Sequence, residues 1–289
     1  MLVMPSYQPQ KQNNKLGFQP LGRLQGAVLK MWNFHMIEFI DSFIPTQLSA
    51  WTLMILISAS VFTCFLSTAA GIGGGVSLMA VMSIFFPPTV LIPVHGFIQI
   101  GSVLSRVAIM WRNVAWPVFI SFGIGGALGA FTGAQVLVEI QEGVLEIAIG
   151  MFILWSCFGP LPVLKKESTF KLGVSGALTS ALSLFIGVTG PIVAAIIKGM
   201  SFDRVRHIAT FSACMLSQQL LKIVVFGLLG FSFYPYLPFI ALMILFGFFG
   251  TYFGRHVLYK IDERSFKFII NLILTILAVR LIVTGLVGM

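Results

Sequence analysis

The chain is 289 residues long, 57% hydrophobic and only 9% charged, with a mean hydropathy of +0.98. A soluble domain averages about 25% charged residues, so this composition excludes one and describes an integral membrane protein embedded in a lipid bilayer. The net charge of +9 and pI near 9.8 would point to nucleic acid in a soluble protein; here basic loops under the positive-inside rule explain them, and no nucleic-acid partner is expected.

Residues 1–20 are polar and rich in Gln, Asn and Pro, a composition that stays disordered. From Leu21 to Ile44 the chain mixes Leu24, Val28, Trp32, Phe39 and Phe43 with Arg23, Lys30, Glu38 and Asp41. That stretch is too charged to span, and it reads either as an amphipathic interfacial helix or as a solvated tail. The first long apolar run begins only near Trp51, so no cleavable signal sequence is expected.

Eight apolar elements follow, at 51–86, 91–110, 116–138, 144–162, 172–198, 208–230, 235–254 and 268–288. They are of helical length, and no alternating strands of about ten residues occur, so the spans are α-helices. The first element is broken by GIGGG at Gly71–Gly75 and the fifth by GVTGP at Gly187–Pro191. A shift of 116 residues places Gly187 on Gly71 and Lys222 on Arg106. The expected organisation is therefore a tail (1–50) followed by two repeats of four elements, 51–165 and 166–289.

Loop charge orients them. Arg112, the group Lys165, Lys166 and Lys171, the pair Arg204 and Arg206, and the group Arg255, Lys260, Arg264 and Lys267 follow the second, fourth, fifth and seventh elements. The loop after the third carries Glu139 and Glu142, and the loop after the sixth carries no charge. If basic loops share one side, the fifth element enters and leaves by the same face. Its arms, Lys171 to Gly187 and Pro191 to Met200, are each shorter than the ~20 residues of a full crossing. The fold class expected is an all-α membrane protein of two inverted repeats, the first element of each re-entrant, as in secondary transporters. The basic residues Lys11, Lys15, Arg23 and Lys30 of the tail pull the other way, because this plan starts the first element on the outer side.

Each glycine costs roughly 1 kcal/mol relative to alanine in a helix interior, so Gly71, Gly73, Gly74 and Gly75 serve another purpose. Unwound glycine backbone at membrane depth exposes N–H groups, and broken-helix N-termini add partial positive charge, which suits an anion. Close helix packing by small residues is the alternative. On the second element, His95, Gln99, Ser102 and Arg106 are spaced 4, 3 and 4 and share one helix stripe. Arg106 lies about 9 Å by helical rise from Arg112, so it either joins that stripe or snorkels to the headgroups.

On the sixth element, Cys214, Gln218 and Lys222 are successive i+4 neighbours, with Thr210 and Ser217 beside them. Lys222 is too deep for easy snorkelling. Arg280, about 20 Å from Lys267 by helical rise, fits the site and outward snorkelling equally. Two fixed cations approached from opposite faces predict an anionic ligand.

No Asp or Glu falls inside a spanning element, Glu146 standing at the start of the fourth. A carboxylate-based proton antiporter is therefore not expected, and any proton coupling would have to run through His95 or through protonation of the substrate. Cys64, Cys157 and Cys214 lie in apolar segments without CxxC spacing, so no disulfide, metal or cofactor is expected. No GxxxxGK[ST] occurs, which excludes a P-loop ATPase. An intramembrane hydrolase would need Ser77 or Ser102 aligned on His95, and Ser102 is about 10 Å from His95 along the helix. No catalytic residue is assigned, and a homodimer is left open.

At these residues the sequence resembles the TauE/SafE sulfite exporter family. The likeness rests on GIGGG at 71–75, the FPP turn at 86–88, HGFIQIGSVLSR at 95–106 and RNVAWP at 112–117. Its second-half counterpart runs from GVTGP to LKIVVFGLLGF at 221–231, and the whole covers about residues 51–289. The resemblance implies a permease, more usually an exporter, for sulfite, thiosulfate, sulfoacetate or another organosulfonate. GVTGP departs from the fuller glycine run of the family's second repeat, with Thr189 offering a hydroxyl. The expected substrate-binding set is Gly71, Gly73, Gly74, Gly75, His95, Gln99, Ser102, Arg106, Thr189, Gly190, Pro191, Cys214, Gln218 and Lys222.

Overall fold

The structure, a computed structural model, describes residues 49–70, 73–137, 140–160, 168–257 and 263–288, and the side chains of these except 66–70, 254–257 and 263–270. The amphipathic or solvated stretch expected at 21–44 and the basic residues Lys165, Lys166 and Lys260 lie outside them, and the side chains of Arg255, Arg264 and Lys267 are not described.

Ten α-helices make up the described chain: α1 (Ala50–Ala70), α2 (Gly74–Met82), α3 (Pro88–Met110), α4 (Trp116–Leu137), α5 (Glu142–Phe158), α6 (Thr169–Ile186), α7 (Gly190–Lys198), α8 (Arg204–Leu228), α9 (Leu237–Val257) and α10 (Glu263–Val287). The eight apolar elements are all present, and the first and fifth break where the glycines predict. Most boundaries move by a few residues, and two of the shifts have a clear reading. The second element starts at Pro88 instead of 91, because proline is pre-set for the first helical turn. The sixth starts at Arg204 instead of 208, so Arg204 and Arg206 form a first turn and not a loop.

Among the described residues, five helical stretches are long and apolar enough to cross a membrane: Pro88–Asn113, Trp116–Leu137, Thr169–Ile186, Arg204–Leu228 and Tyr234–Phe253. Their outward faces are greasy. On α4, Ile120, Ile124, Leu128 and Phe131 recur at helical spacing and are exposed, as lipid-facing residues should be.

Helix directions follow from named contacts. Gly125, Gly129 and Gly133 of α4 meet Gly173, Ala177 and Ala181 of α6 in the same order, so these helices run parallel. The approach is so close that a Cβ on Gly125 or Gly129 would collide with the facing backbone. Small residues permit this contact, which replaces the hydrophobic driving force that lipid does not supply. A second such seam joins α9 to α1: Gly250 abuts the Val61 backbone, and Ser60 Oγ donates to the Met243 carbonyl at 2.8 Å. These two helices also run parallel.

At the centre, α3 and α8 are antiparallel, Gly96 lying against Lys222 while Val107 and Met110 pack on Ala209 and Ala213. The Ala115 N–H donates to Thr210 Oγ1 at 3.0 Å, which puts the start of α8 beside the α3–α4 turn. Since α6 starts on that same face, α6 and α7 enter and leave by one side. On the opposite face, Thr89 Oγ1 donates to Glu142 Oε1 at 2.7 Å, joining the starts of α3 and α5. Directions propagated along the chain then place Arg112, Lys171, Arg204 and Arg206 on one face and Glu142 on the other. That is the charge separation the loops predict.

Candidate functional site

The breaks position the site. Gly73, at φ 110°, precedes α2, and Gly187, at φ 77°, ends α6. Both angles lie in the left-handed region that glycine adopts without strain. Each break delivers a helix N-terminus with no side-chain cap: α2 after Gly73 and α7 after Thr189. The first-turn N–H groups there have no intrahelical acceptor.

Both termini border one cavity of about 50 Å³, lined from the first half by Gly73, Gly75, His95, Gln99, Val103 and Arg106. The second half contributes Val188, Gly190, Pro191, Phe211, Met215 and Gln219. One water needs about 10–15 Å³ measured this way, so the space suits a few waters or one small oxyanion. Gln99 lies directly against Gly75, leaving no room for a Cβ there. Opposite it, His95 is fully buried, and Nε2 is 3.0 Å from the Gly75 carbonyl. A carbonyl only accepts, so Nε2 carries the hydrogen; the buried Nδ1 has no partner among the described residues.

The two cations are held differently. The Arg106 Nε donates to the Ser102 carbonyl at 3.2 Å and an Nη to Ser102 Oγ at 3.4 Å, which folds the guanidinium along its own helix at the cavity edge. Lys222 is 1% exposed, and its Nζ donates to the Gly187 carbonyl at 2.6 Å and to Gln219 Oε1 at 3.0 Å. It thus caps the negative end of α6, a favourable place for a cation, one residue behind the cavity wall. No carboxylate among the described residues pairs with either charge, so their field reaches the cavity without a counter-ion.

Of the residues expected from sequence, Gly73, Gly75, His95, Gln99, Arg106, Gly190 and Pro191 come together around the cavity. Gly74 is buried in the first turn of α2, and Gly71 lies outside the described residues. Ser102 borders a second cavity. Cys214 is fully buried. Thr189 and Gln218 stand behind the wall in a closed network: Thr189 Oγ1 donates to Gln218 Oε1 at 2.9 Å, and Gln218 Nε2 to Thr179 Oγ1 at 2.8 Å and Ser180 Oγ at 3.3 Å. Ser77 Oγ donates to the Gly73 carbonyl at 3.0 Å, so no serine–histidine hydrogen bond forms among the described residues.

Phe211, Met215 and Gln219 border the cavity although polarity did not single them out. A signal for them lay in the sequence: the shift of 116 that carries Arg106 to Lys222 also carries His95, Gln99 and Val103 to these three residues.

The sequence model of the family described as Sulfite exporter TauE/SafE matches residues 56–281. The chain belongs to the TauE/SafE sulfite exporter family. Membership makes this TauE/SafE chain a membrane permease of sulfur-containing anions, in a family of transporters and not of enzymes. Searches of curated proteins and of solved structures found no match.

Proposed function

We propose that this TauE/SafE protein is a secondary transporter, working as an exporter in the cell membrane, for a small sulfur oxyanion: sulfite, thiosulfate or an organosulfonate such as sulfoacetate. One observation carries the reading. Two uncapped helix N-termini meet at a small cavity flanked by Arg106 and Lys222, with no carboxylate among the described residues to cancel their charge. Backbone N–H groups and dipole ends favour an anion there, and the Gln99 and Gln219 amides supply further donors.

We also propose that residues 51–165 and 166–289 form an inverted repeat. Supporting this, α4 pairs with α6 as α9 pairs with α1, both in parallel, while α3–α8 and α5–α10 pair across the halves. The hairpin α6–α7 opens on the basic face and α1–α2 on the opposite one. Inverted repeats with broken helices at a central site are the plan of alternating-access carriers.

The test is purified protein in liposomes, with flux of sulfite, thiosulfate, sulfoacetate and sulfate followed with and without a pH gradient. Saturable sulfite or sulfonate flux that Arg106→Gln and Lys222→Gln each reduce supports the reading. Flux untouched by both substitutions removes the site assignment, and chemical turnover without flux replaces the carrier by an enzyme.

A further inference from the structure

A second cavity, also of about 50 Å³, lies between α1, α3 and α9 and shares Gln99 with the first. Ser102, Ser105, Cys64 and Thr251 give it a polar side, and Met243 and Phe248 an apolar one. Along α3 it extends from Gln99 through Ser102 to Ser105, and along α9 from Met243 to Thr251. Both directions lead towards the face that carries Arg112. Arg106 borders the first cavity while an Nη donates to Ser102 Oγ, which borders the second. The guanidinium therefore stands between them.

At the matching place in the second half, bulkier side chains are packed together. The shift of 116 carries Cys64, Ser102 and Ser105 to Ser180, Gln218 and Leu221. Gln218 fills the interior there, bonded to Thr179, Ser180 and Thr189. Leu221 and Ser180 close against Gly126 of α4. The difference is written in side-chain bulk, serine against glutamine and serine against leucine, and so persists whatever the helices do.

We infer that the second cavity is a further subsite for the same small oxyanion, built only into the first half, through which the anion passes between the Gln99 cavity and the face carrying Arg112. This rests on the anion-carrier reading above. The Gln99 amide is the partition, Arg106 the charge that both subsites share, and Ser102 Oγ, which accepts from Arg106 and keeps its own hydrogen, the group that replaces part of the anion's water shell, since the Ser105 and Thr251 hydroxyls already donate to the Ser102 and Gly247 carbonyls.

The test has two arms. In the first, Ser102→Gln and Ser105→Leu copy the second half's residues into the first. At least tenfold lower sulfite flux from the folded variants is the expected result; unchanged flux with either folded variant overturns the inference. In the second, which needs no transported substrate, Ser102→Cys is exposed to an impermeant anionic methanethiosulfonate in right-side-out and inverted vesicles. Modification at least tenfold faster from the Arg112 face supports the subsite as a passage. No modification from either face, or faster modification from the opposite one, overturns it. Absence of flux and binding of every sulfur oxyanion in the unaltered protein would instead remove the carrier reading, leaving the labelling arm to decide whether the cavity is open.

Discussion

In the first half Ser102 and Ser105 border an open cavity, whereas 116 residues on Gln218 and Leu221 stand in closed packing. Around the central cavity four pairs match under the shift of 116, Gly75 with Pro191, His95 with Phe211, Gln99 with Met215 and Val103 with Gln219, and behind it the halves diverge. On the function proposed above, the matched positions form the shared binding surface, and the unmatched ones give each half its own task. Gln218 stabilises its tip, holding Thr189 at the start of α7. Ser102 leaves room and carries Arg106.

The largest effect should come from the feature the halves share. A valine at Gly129 or Gly250 drives side-chain atoms into facing backbone, and overpacking costs about 1–3 kcal/mol or more where nothing can yield. Both variants should lose most folded protein, measured as monodisperse yield in detergent; tolerance at one seam alone would break the equivalence of the halves. Next is Lys222→Met, which deprives the Gly187 carbonyl of its charged donor. Hydrogen bonds to charged groups contribute about 1.5–3 kcal/mol, so flux should fall roughly ten- to a hundredfold, more than for Arg106→Gln.

Gln218→Ala leaves Thr189, Thr179 and Ser180 without their shared partner. A loss of about 1–3 kcal/mol is expected for orphaned buried groups, read from thermal unfolding in detergent. The matched change Ser102→Ala borders open space and should stay within about 0.5 kcal/mol in the same assay. Equal losses at both positions would show that the first half is as tightly filled as the second.

Much of the fold was legible in the sequence because lipid imposes simple rules. Apolar run length gave the helices, glycine clusters gave the breaks, and Arg112, Lys171, Arg204 and Arg206 gave the face. The stripe from His95 to Arg106 was readable because polar residues are scarce there. On α8 polarity misled: Cys214 and Gln218 turn away from the cavity, while Phe211 and Met215 line it. A polar side chain in a membrane helix must find partners, and Gln218 finds them in Thr179, Ser180 and Thr189 instead of in a ligand. The second cavity was invisible too, since empty space follows from comparing bulk across the repeat and not from any one residue.

The two glycine seams also differ in when they are made. Helix α6 meets α4 about 50 residues after Gly125 leaves the ribosome, whereas Ser60 waits for Met243, 183 residues later. At roughly 5–20 residues per second that is a delay of roughly 10–40 s, during which α1 sits in the bilayer with its seam unmated. The first hairpin is thus the part that waits longest for its partner, although it is the first of the described helices to be synthesised. A chain truncated before α9 should leave α1 and α2 open to quality-control proteases while α4 and α6 are already joined.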